Sequence, residues 1–144
     1  MISGHVAVPT LIARYAELVD DGDFDALGEL FANASITIDA RDLHISGPAE
    51  ISSAYSSWTR RYGGSGAPRT KHVTTNLILE VDDRTGTASC RSYVTVFQET
   101  PDQPIQPIYS GRYRDTFERA AGEWRFTSRH IVSDFTGDMS AHTR

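Results

Sequence analysis

Few side chains in this 144-residue sequence could move a proton at neutral pH. Histidine is the side chain whose ordinary titration falls in that range, and there are five: His5, His44, His72, His130 and His142. His72 is set apart by its surroundings. It opens the stretch Lys71–Val81, which is polar at its entrance (Lys71, Thr74, Thr75, Asn76) and apolar beyond it (Leu77, Ile78, Leu79, Val81). Such a run reads as a β-strand, and it stops at the turn Asp82-Asp83-Arg84-Thr85-Gly86. A histidine at the open end of a sheet can face a cavity and move a proton there. The other four fall in the terminal segments (His5, His142), a hairpin (His44) and the last strand (His130). Each, like His72, can equally be a hydrogen-bonded structural residue.

Three other side chains could assist such a proton transfer. Asp20 ends an apolar-striped segment that reads as a helix, at the negative end of the helix dipole, where a carboxylate is disfavoured. It either faces water beside Asp21 and Asp23 or serves a purpose that outweighs the dipole. Tyr15 lies on the apolar stripe of the same segment, as core or as a hydroxyl donor. Arg129 alternates with Arg125, Thr127 and Ile131 along the last strand, opposite Trp124, Phe126, Ser128, His130 and Val132. That face is solvent or a polar cavity wall, and a bulge would exchange the two faces. The aromatic set Tyr55, Trp58, Tyr93, Phe97, Tyr109 and Tyr113 suits either a ring-binding pocket or ordinary core.

Several chemistries lack their signatures. No HxxxH or HxH spacing marks a metal site. The single cysteine, Cys90, permits no disulfide framework and no thiolate cluster, and reads as a small buried hydrophobe. Gly63-Gly64-Ser65-Gly66 lacks the GK[ST] ending of a phosphate loop, and no G-x-S-x-G elbow occurs. The net charge is −5 and the pI about 5.4, and no basic run exceeds Arg60-Arg61, so nucleic acid is not the expected partner. No secretory leader and no membrane span is recognisable, and the expectation is a soluble cytoplasmic protein.

The elements that must position these groups form one domain, residues 1–144 with a core over about 8–135. Residues 1–7 read as a lead-in, and Pro9 suits the first turn of a helix running to about Asp21. Gly22 stops it and Asp23 caps a short second helix. A hairpin spans Ala34–Ser46. A third helix opens at Gly47-Pro48, carries Ile51, Tyr55 and Trp58 on one face, and ends near Tyr62. Four long strands follow, over about Thr70–Val81, Thr87–Gln98, Pro107–Arg119 and Glu123–Asp134, and residues 136–144 read as a loose tail. The fold class is α+β: a curved, mainly antiparallel sheet wrapped around three helices, with a conical pocket between them.

Taken together, these segments resemble a known family. Leu18-Val19-Asp20-Asp21-Gly22-Asp23-Phe24-Asp25-Ala26-Leu27, His72-Val73-Thr74-Thr75-Asn76-Leu77, Gly111-Arg112-Tyr113-Arg114-Asp115, and Gly122-Glu123-Trp124-Arg125-Phe126 with Ser128-Arg129 look like successive motifs of SnoaL-like proteins. These belong to the nuclear transport factor 2-like superfamily of scytalone dehydratase and ketosteroid isomerase. The nearest branch holds dehydratases and a dehydrochlorinase. By that resemblance Asp20 and His72 form a catalytic pair, joined by Arg129 and by Tyr15, a tyrosine found at this place in the bile acid dehydratases. The dehydrochlorinase has a lysine there, which argues against a chlorinated substrate.

The implied function is a cofactor-independent lyase or isomerase of dehydratase type, acting on a small hydrophobic polyketide-, steroid- or ring-type molecule. Asp20, His72, Arg129 and Tyr15 would be catalytic, and Tyr55, Trp58, Tyr93 and Tyr113 would line the substrate site, with no metal. The alternatives are a non-catalytic binding or oligomeric interaction module of the same fold, or a cyclase or hydrolase using Asp20 directly. The partner is a small molecule, with no membrane, and a homodimer or homotrimer formed through the outer sheet face is expected.

Overall fold

The computed structural model describes all 144 residues. Helix α1 (Gly4–Asp21) and helix α2 (Phe24–Leu30) are followed by β1 (Ser35–Ile38), a 3-10 turn at Asp39–Arg41, β2 (Leu43–Ser46) and α3 (Pro48–Trp58). Four long strands complete the chain: β3 (Thr70–Asp82), β4 (Thr87–Thr100), β5 (Gln103–Ala120) and β6 (Glu123–Thr136). They form one six-stranded sheet in the order β2-β1-β6-β5-β4-β3. Only β1 and β6 run parallel; every other neighbouring pair is antiparallel. The architecture is α+β, a mixed sheet with three helices.

Helix α1 begins earlier than Pro9 suggests. Ser3 caps it, accepting from the His5 N–H, and donates its own hydroxyl to Asp83 at 2.6 Å, while the Gly4 N–H reaches the same carboxylate at 2.8 Å. The helix start is thereby tied to the β3–β4 turn, and Pro9 lies inside the helix, where its missing N–H forfeits one bond. A Cβ on Gly4 would meet Val81 Cγ1 at 2.7 Å and Trp124 at 2.8 Å, so only glycine allows this approach. The buried stripe Val8, Ile12, Tyr15, Leu18 and Val19 packs against Phe31, Ile36, Val94, Phe117 and Phe126 in one continuous core. Phe31 stacks on Phe126 with centroids 4.5 Å apart. Helix α3 ends at Trp58 rather than near Tyr62, because Thr59 turns extended and bridges to Thr143.

Two irregularities decide which side chains face inward. In β3, Thr75 pairs with Tyr93 and Ile78 with Arg91, so Asn76 and Leu77 stand opposite one residue of β4. Asn76 has φ 58°, the left-handed conformation that a short polar side chain tolerates better than a β-branched one. Upstream of this bulge Thr70, His72 and Thr74 are the more enclosed positions; downstream they are Leu79 and Val81. In β6, Thr116 pairs with Ser128 and Phe117 with Phe126, leaving Thr127 as the extra residue. Trp124 and Phe126 before it, and Arg129 and Ile131 after it, therefore share the buried face. Simple alternation puts Arg129 and Phe126 on opposite faces, and the bulge corrects that.

The C-terminal segment is no loose tail. Arg144 N–H donates to the Trp58 carbonyl at 2.9 Å and Arg60 N–H to that of His142 at 2.8 Å. The Ala141 carbonyl accepts from Gln98 Nε2 at 3.1 Å and from the Tyr62 hydroxyl. These bonds lay residues 139–144 across the end of α3 and the β3–β4 region.

Candidate active site

Helix α1 closes with the Gly22 N–H on the Val19 carbonyl (3.1 Å) and the Asp23 N–H on that of Leu18 (3.0 Å). Gly22 supplies the positive φ of 72° that this ending needs. The carboxylate of Asp20, just before the end, is thus carried to the entrance of β3. There it finds the donors that the helix end lacks. Thr70 Oγ1 donates to Oδ1 at 2.8 Å, the His72 N–H to Oδ2 at 2.9 Å, and His72 Nδ1 lies 2.6 Å from Oδ1. β3 is an edge strand, and this backbone N–H is one that no neighbouring strand takes up. Three donors from one short segment outweigh an unfavourable dipole worth about 0.3–1 kcal/mol.

A carboxylate can only accept, so the proton between the two side chains belongs to His72 Nδ1. Nε2 is left as the basic nitrogen and makes no hydrogen bond within the protein. Both side chains are largely enclosed, His72 at 10% exposure and Asp20 at 13%. His72 is the shared wall of two hollows. One is a surface groove between α1 and β3, bounded by Pro9, Ala13, Glu17 and Lys71. The other is an inner cavity of about 170 Å³, lined mainly by apolar and aromatic side chains, among them Tyr15, Tyr55, Trp58, Tyr109, Tyr113 and Ile131.

The hydroxyls of Tyr15 and Tyr55 are 2.7 Å apart. One donates to the other, whose own hydrogen remains free to donate elsewhere. Burial pushes the Tyr15 phenol above its ordinary range, against the opposing charge of Arg129. Burial pushes Tyr55 and Tyr113 up further. All three are held as neutral hydroxyls, donors rather than bases. Trp58 lines the same cavity with the Arg41 guanidinium 4.6 Å above its ring.

Two expected site residues lie elsewhere. Arg129 is wholly buried and forms a two-pronged ion pair with Asp115 on β5, at 2.8 and 2.9 Å. Its guanidinium lies 3.6 Å from the Tyr113 ring centroid and 4.2 Å from that of Tyr15. Burial disfavours its charge, but Asp115 outweighs that, and the group is held above its ordinary range. Arg129 does not line the cavity: it sits behind the aromatic wall, neither in solvent nor on a polar surface. Tyr93 is 53% exposed on the outer sheet face, because β4 turns Ser92, Val94 and Val96 inward. It does not contact the cavity.

The structure adds residues that sequence reasoning passed over. His142 and Met139, from the C-terminal segment, line the cavity with His72. Burial, and next the proximity of His72, push His142 down to about 4, partly offset by Asp20. Its ring is neutral at physiological pH. Nothing in the composition of residues 136–144 marks them as a cavity wall. No group of three or more His, Cys, Asp or Glu side chains is arranged to hold a metal ion, and no helix is long and apolar enough to cross a membrane.

A six-stranded mixed sheet with three helices, an aromatic hollow and a carboxylate–imidazole pair at its wall defines a class, and comparison with known proteins identifies it. Residues 2–130 match the SnoaL-like domain, and the chain belongs to that family. Among solved structures it is similar to a nuclear transport factor 2-like protein with a cystatin-like fold from Novosphingobium aromaticivorans, at 24% identity and TM-score 0.72, covering 94% of this chain and 84% of that one. A candidate scytalone dehydratase from the same organism gives 20% identity and TM-score 0.70, covering 92% and 85%. ActVI-ORFA from Streptomyces coelicolor gives 18% and 0.73, covering 90% and 96%. At these identities the likeness shows the fold. No curated protein matches the chain.

Proposed function

We propose that this protein is a cofactor-independent lyase or isomerase that removes a proton from carbon in a small ring-type substrate. The observation that carries the proposal is the 2.6 Å contact from Asp20 to His72 Nδ1, which leaves Nε2 unengaged on a residue that borders an aromatic cavity. His72 Nε2 takes the proton from a carbon beside a carbonyl, and the electron pair of the broken C–H bond moves onto the carbonyl oxygen as an enolate. Asp20 holds the ring in the productive tautomer and stabilises the imidazolium. The free hydroxyl hydrogen of the Tyr15–Tyr55 pair donates to the enolate oxygen. In a β-hydroxy ketone the enolate re-forms the carbonyl as the C–O bond breaks, and the departing hydroxide takes the proton from His72 to leave as water. Arg129 acts from behind: its charge lies across the ring of Tyr15 and favours negative charge at that hydroxyl.

A cavity of about 170 Å³ is smaller than the roughly 300–1,000 Å³ of drug-sized sites. A one- or two-ring hydroxy ketone suits it better than a steroid. The similarity to a candidate scytalone dehydratase agrees in fold with such chemistry. The test is His72→Ala, followed by NMR of water loss and of solvent deuterium exchange into small cyclic β-hydroxy ketones. Turnover should fall at least about 100-fold in a protein that remains folded. A fully active His72→Ala variant overturns the proposal, and ligand binding without turnover in the wild type favours a carrier.

The outer face of β3 and β4 exposes Val73, Ile78 and Tyr93. We propose that copies of the chain associate through it as a homodimer or homotrimer. Tyr93→Asp should shift the mass measured by light scattering to that of the monomer. A wild type that is already monomeric rules the association out.

A further inference from the structure

The C-terminal segment delivers a second imidazole to the cavity, and the mechanism above does not use it. His142 is pinned through its backbone: its N–H donates to the Met139 carbonyl at 3.0 Å and its own carbonyl accepts from Arg60. Thr143 bridges to Thr59, and Ala141 is held by Gln98 and Tyr62. The side chain is not similarly provided for. His142 Nδ1 is sealed from solvent and has no hydrogen-bond partner. Buried polar atoms are normally paired. Nε2, the nitrogen that is not sealed, also makes no hydrogen bond, so the neutral ring with its hydrogen on Nε2 keeps a donor free for a partner in the cavity. The same ring lines the cavity that His72 lines.

We infer that His142 is a ligand-contacting group of this cavity, a neutral imidazole whose N–H donates to the ring oxygen of the bound molecule. The inference rests on the proposed carbon-acid chemistry only for its catalytic meaning. There, His142 would receive the enolate oxygen while His72 holds the proton taken from carbon, and no bond to His142 itself is made or broken. A neutral imidazole is suited to this: it donates without neutralising the base beside it, whereas a charged one would repel the imidazolium that forms on His72. The charged and titratable groups around it are His72 on β3, Asp20 on α1, Arg41 of the 3-10 turn and the tyrosines Tyr15, Tyr55, Tyr109 and Tyr113 of the cavity wall. Residues 139–144 are then part of the site.

The test needs no knowledge of the natural substrate. 4-Nitrophenol is a single ring with one phenolic oxygen, and its visible band reports the donors around that oxygen. Titrated into wild-type protein at pH 7 it should bind, and the ring-nitrogen NMR signals of His142 should move at saturation. His142→Ala should bind it about 3- to 10-fold more weakly with a displaced band, the loss expected for one neutral hydrogen bond. His142→Gln, which retains a donor, should recover most of the difference. No binding by the wild type, unmoved His142 signals, wild-type affinity in His142→Ala, or a Gln variant no better than Ala overturns the assignment. The outcome is independent of turnover, so an active His72→Ala protein would remove the base and leave this donor standing.

Discussion

Two largely enclosed carboxylates in this domain each hold a nitrogen group from another element, and the pairs differ in what they leave over. Asp115 and Arg129 face each other across β5 and β6, wholly buried and joined by two bonds, behind Tyr113 and Tyr15. Asp20 and His72 join a helix end to a strand start, still slightly exposed, with one imidazole nitrogen engaged and the other unengaged. The first arrangement directs its charge inward to a single carboxylate and leaves Arg129 Nη1 sealed without a partner. The second keeps a basic atom at a cavity wall. Burial and ion pairing alone do not distinguish a supporting pair from a reacting one. What separates them is that the unengaged nitrogen of His72 is a basic atom on a residue bordering a hollow, whereas the unengaged Arg129 Nη1 is a cationic N–H sealed in the core.

The contrast is broken most directly at Asp115. Asp115→Ala leaves the Arg129 guanidinium buried and unpaired, which should cost about 3–5 kcal/mol in urea unfolding. Asp115→Leu combined with Arg129→Met should regain most of that, because an apolar replacement of a buried pair is often neutral. The Asp20–His72 pair should behave oppositely. Its loss through His72→Ala should be read mainly in turnover, by at least about 100-fold, and no apolar double replacement should restore it. If the Asp115 and Arg129 double variant keeps its fold but loses activity, Arg129 does more than support the aromatic wall.

Acid sharpens the same comparison at His142. Its folded-state value of about 4 lies below the ordinary 6.5. The unfolded chain therefore binds the extra proton first as pH falls, and stability is lost between about pH 6.5 and 4 and changes no further through this group below that. The linkage amounts to at most about 3 kcal/mol, and release of residues 139–144 alone would cap it at a smaller figure. Melting temperatures taken from pH 7 to 4 should fall less steeply in His142→Gln than in the wild type. Parallel curves would mean that the imidazole is not enclosed in solution.

These residues also show what a sequence discloses and what it withholds. Helical spacing exposed α1 and its stop at Gly22, and Asp23 was readable as a cap, because those features are local. The pairing of Asp20 with His72 was legible through family resemblance; nothing in the spacing of two residues so far apart requires it. Tyr93 was within reach of the alternation rule, since Ser92, Val94 and Val96 turn inward around it. Arg129 was not, because Thr127 adds a residue to β6 only in register with β5. His142 was hidden more deeply. Its place depends on carbonyls of Met139, Ala141 and His142 finding donors from distant segments, and a small polar composition gives no sign of that.

The smallest expected effect concerns the bulge that separates His72 from the rest of β3. Asn76 adopts φ 58°, and the two residues Asn76 and Leu77 opposite one of β4 let His72 and Leu79 both turn toward the helices although their numbers differ by an odd step. Asn76→Gly keeps that conformation without strain and should leave turnover unchanged, with stability within a few tenths of a kcal/mol because the added chain entropy offsets the relief. Asn76→Val puts a β-branched side chain in the left-handed region, at a cost of about 1–2 kcal/mol, and favours a regular strand. A regular register from His72 onward would send Leu79 and Val81 outward, away from α1 and Trp124, so the strand must keep the bulge under strain or lose that packing. Asn76→Val should therefore melt lower and also lose activity in part, since the N–H of His72 that holds Asp20 lies on the same strand segment. Equal activity in the Gly and Val variants would show that the strand entrance is fixed by Asp20 and Thr70 alone, independently of the bulge.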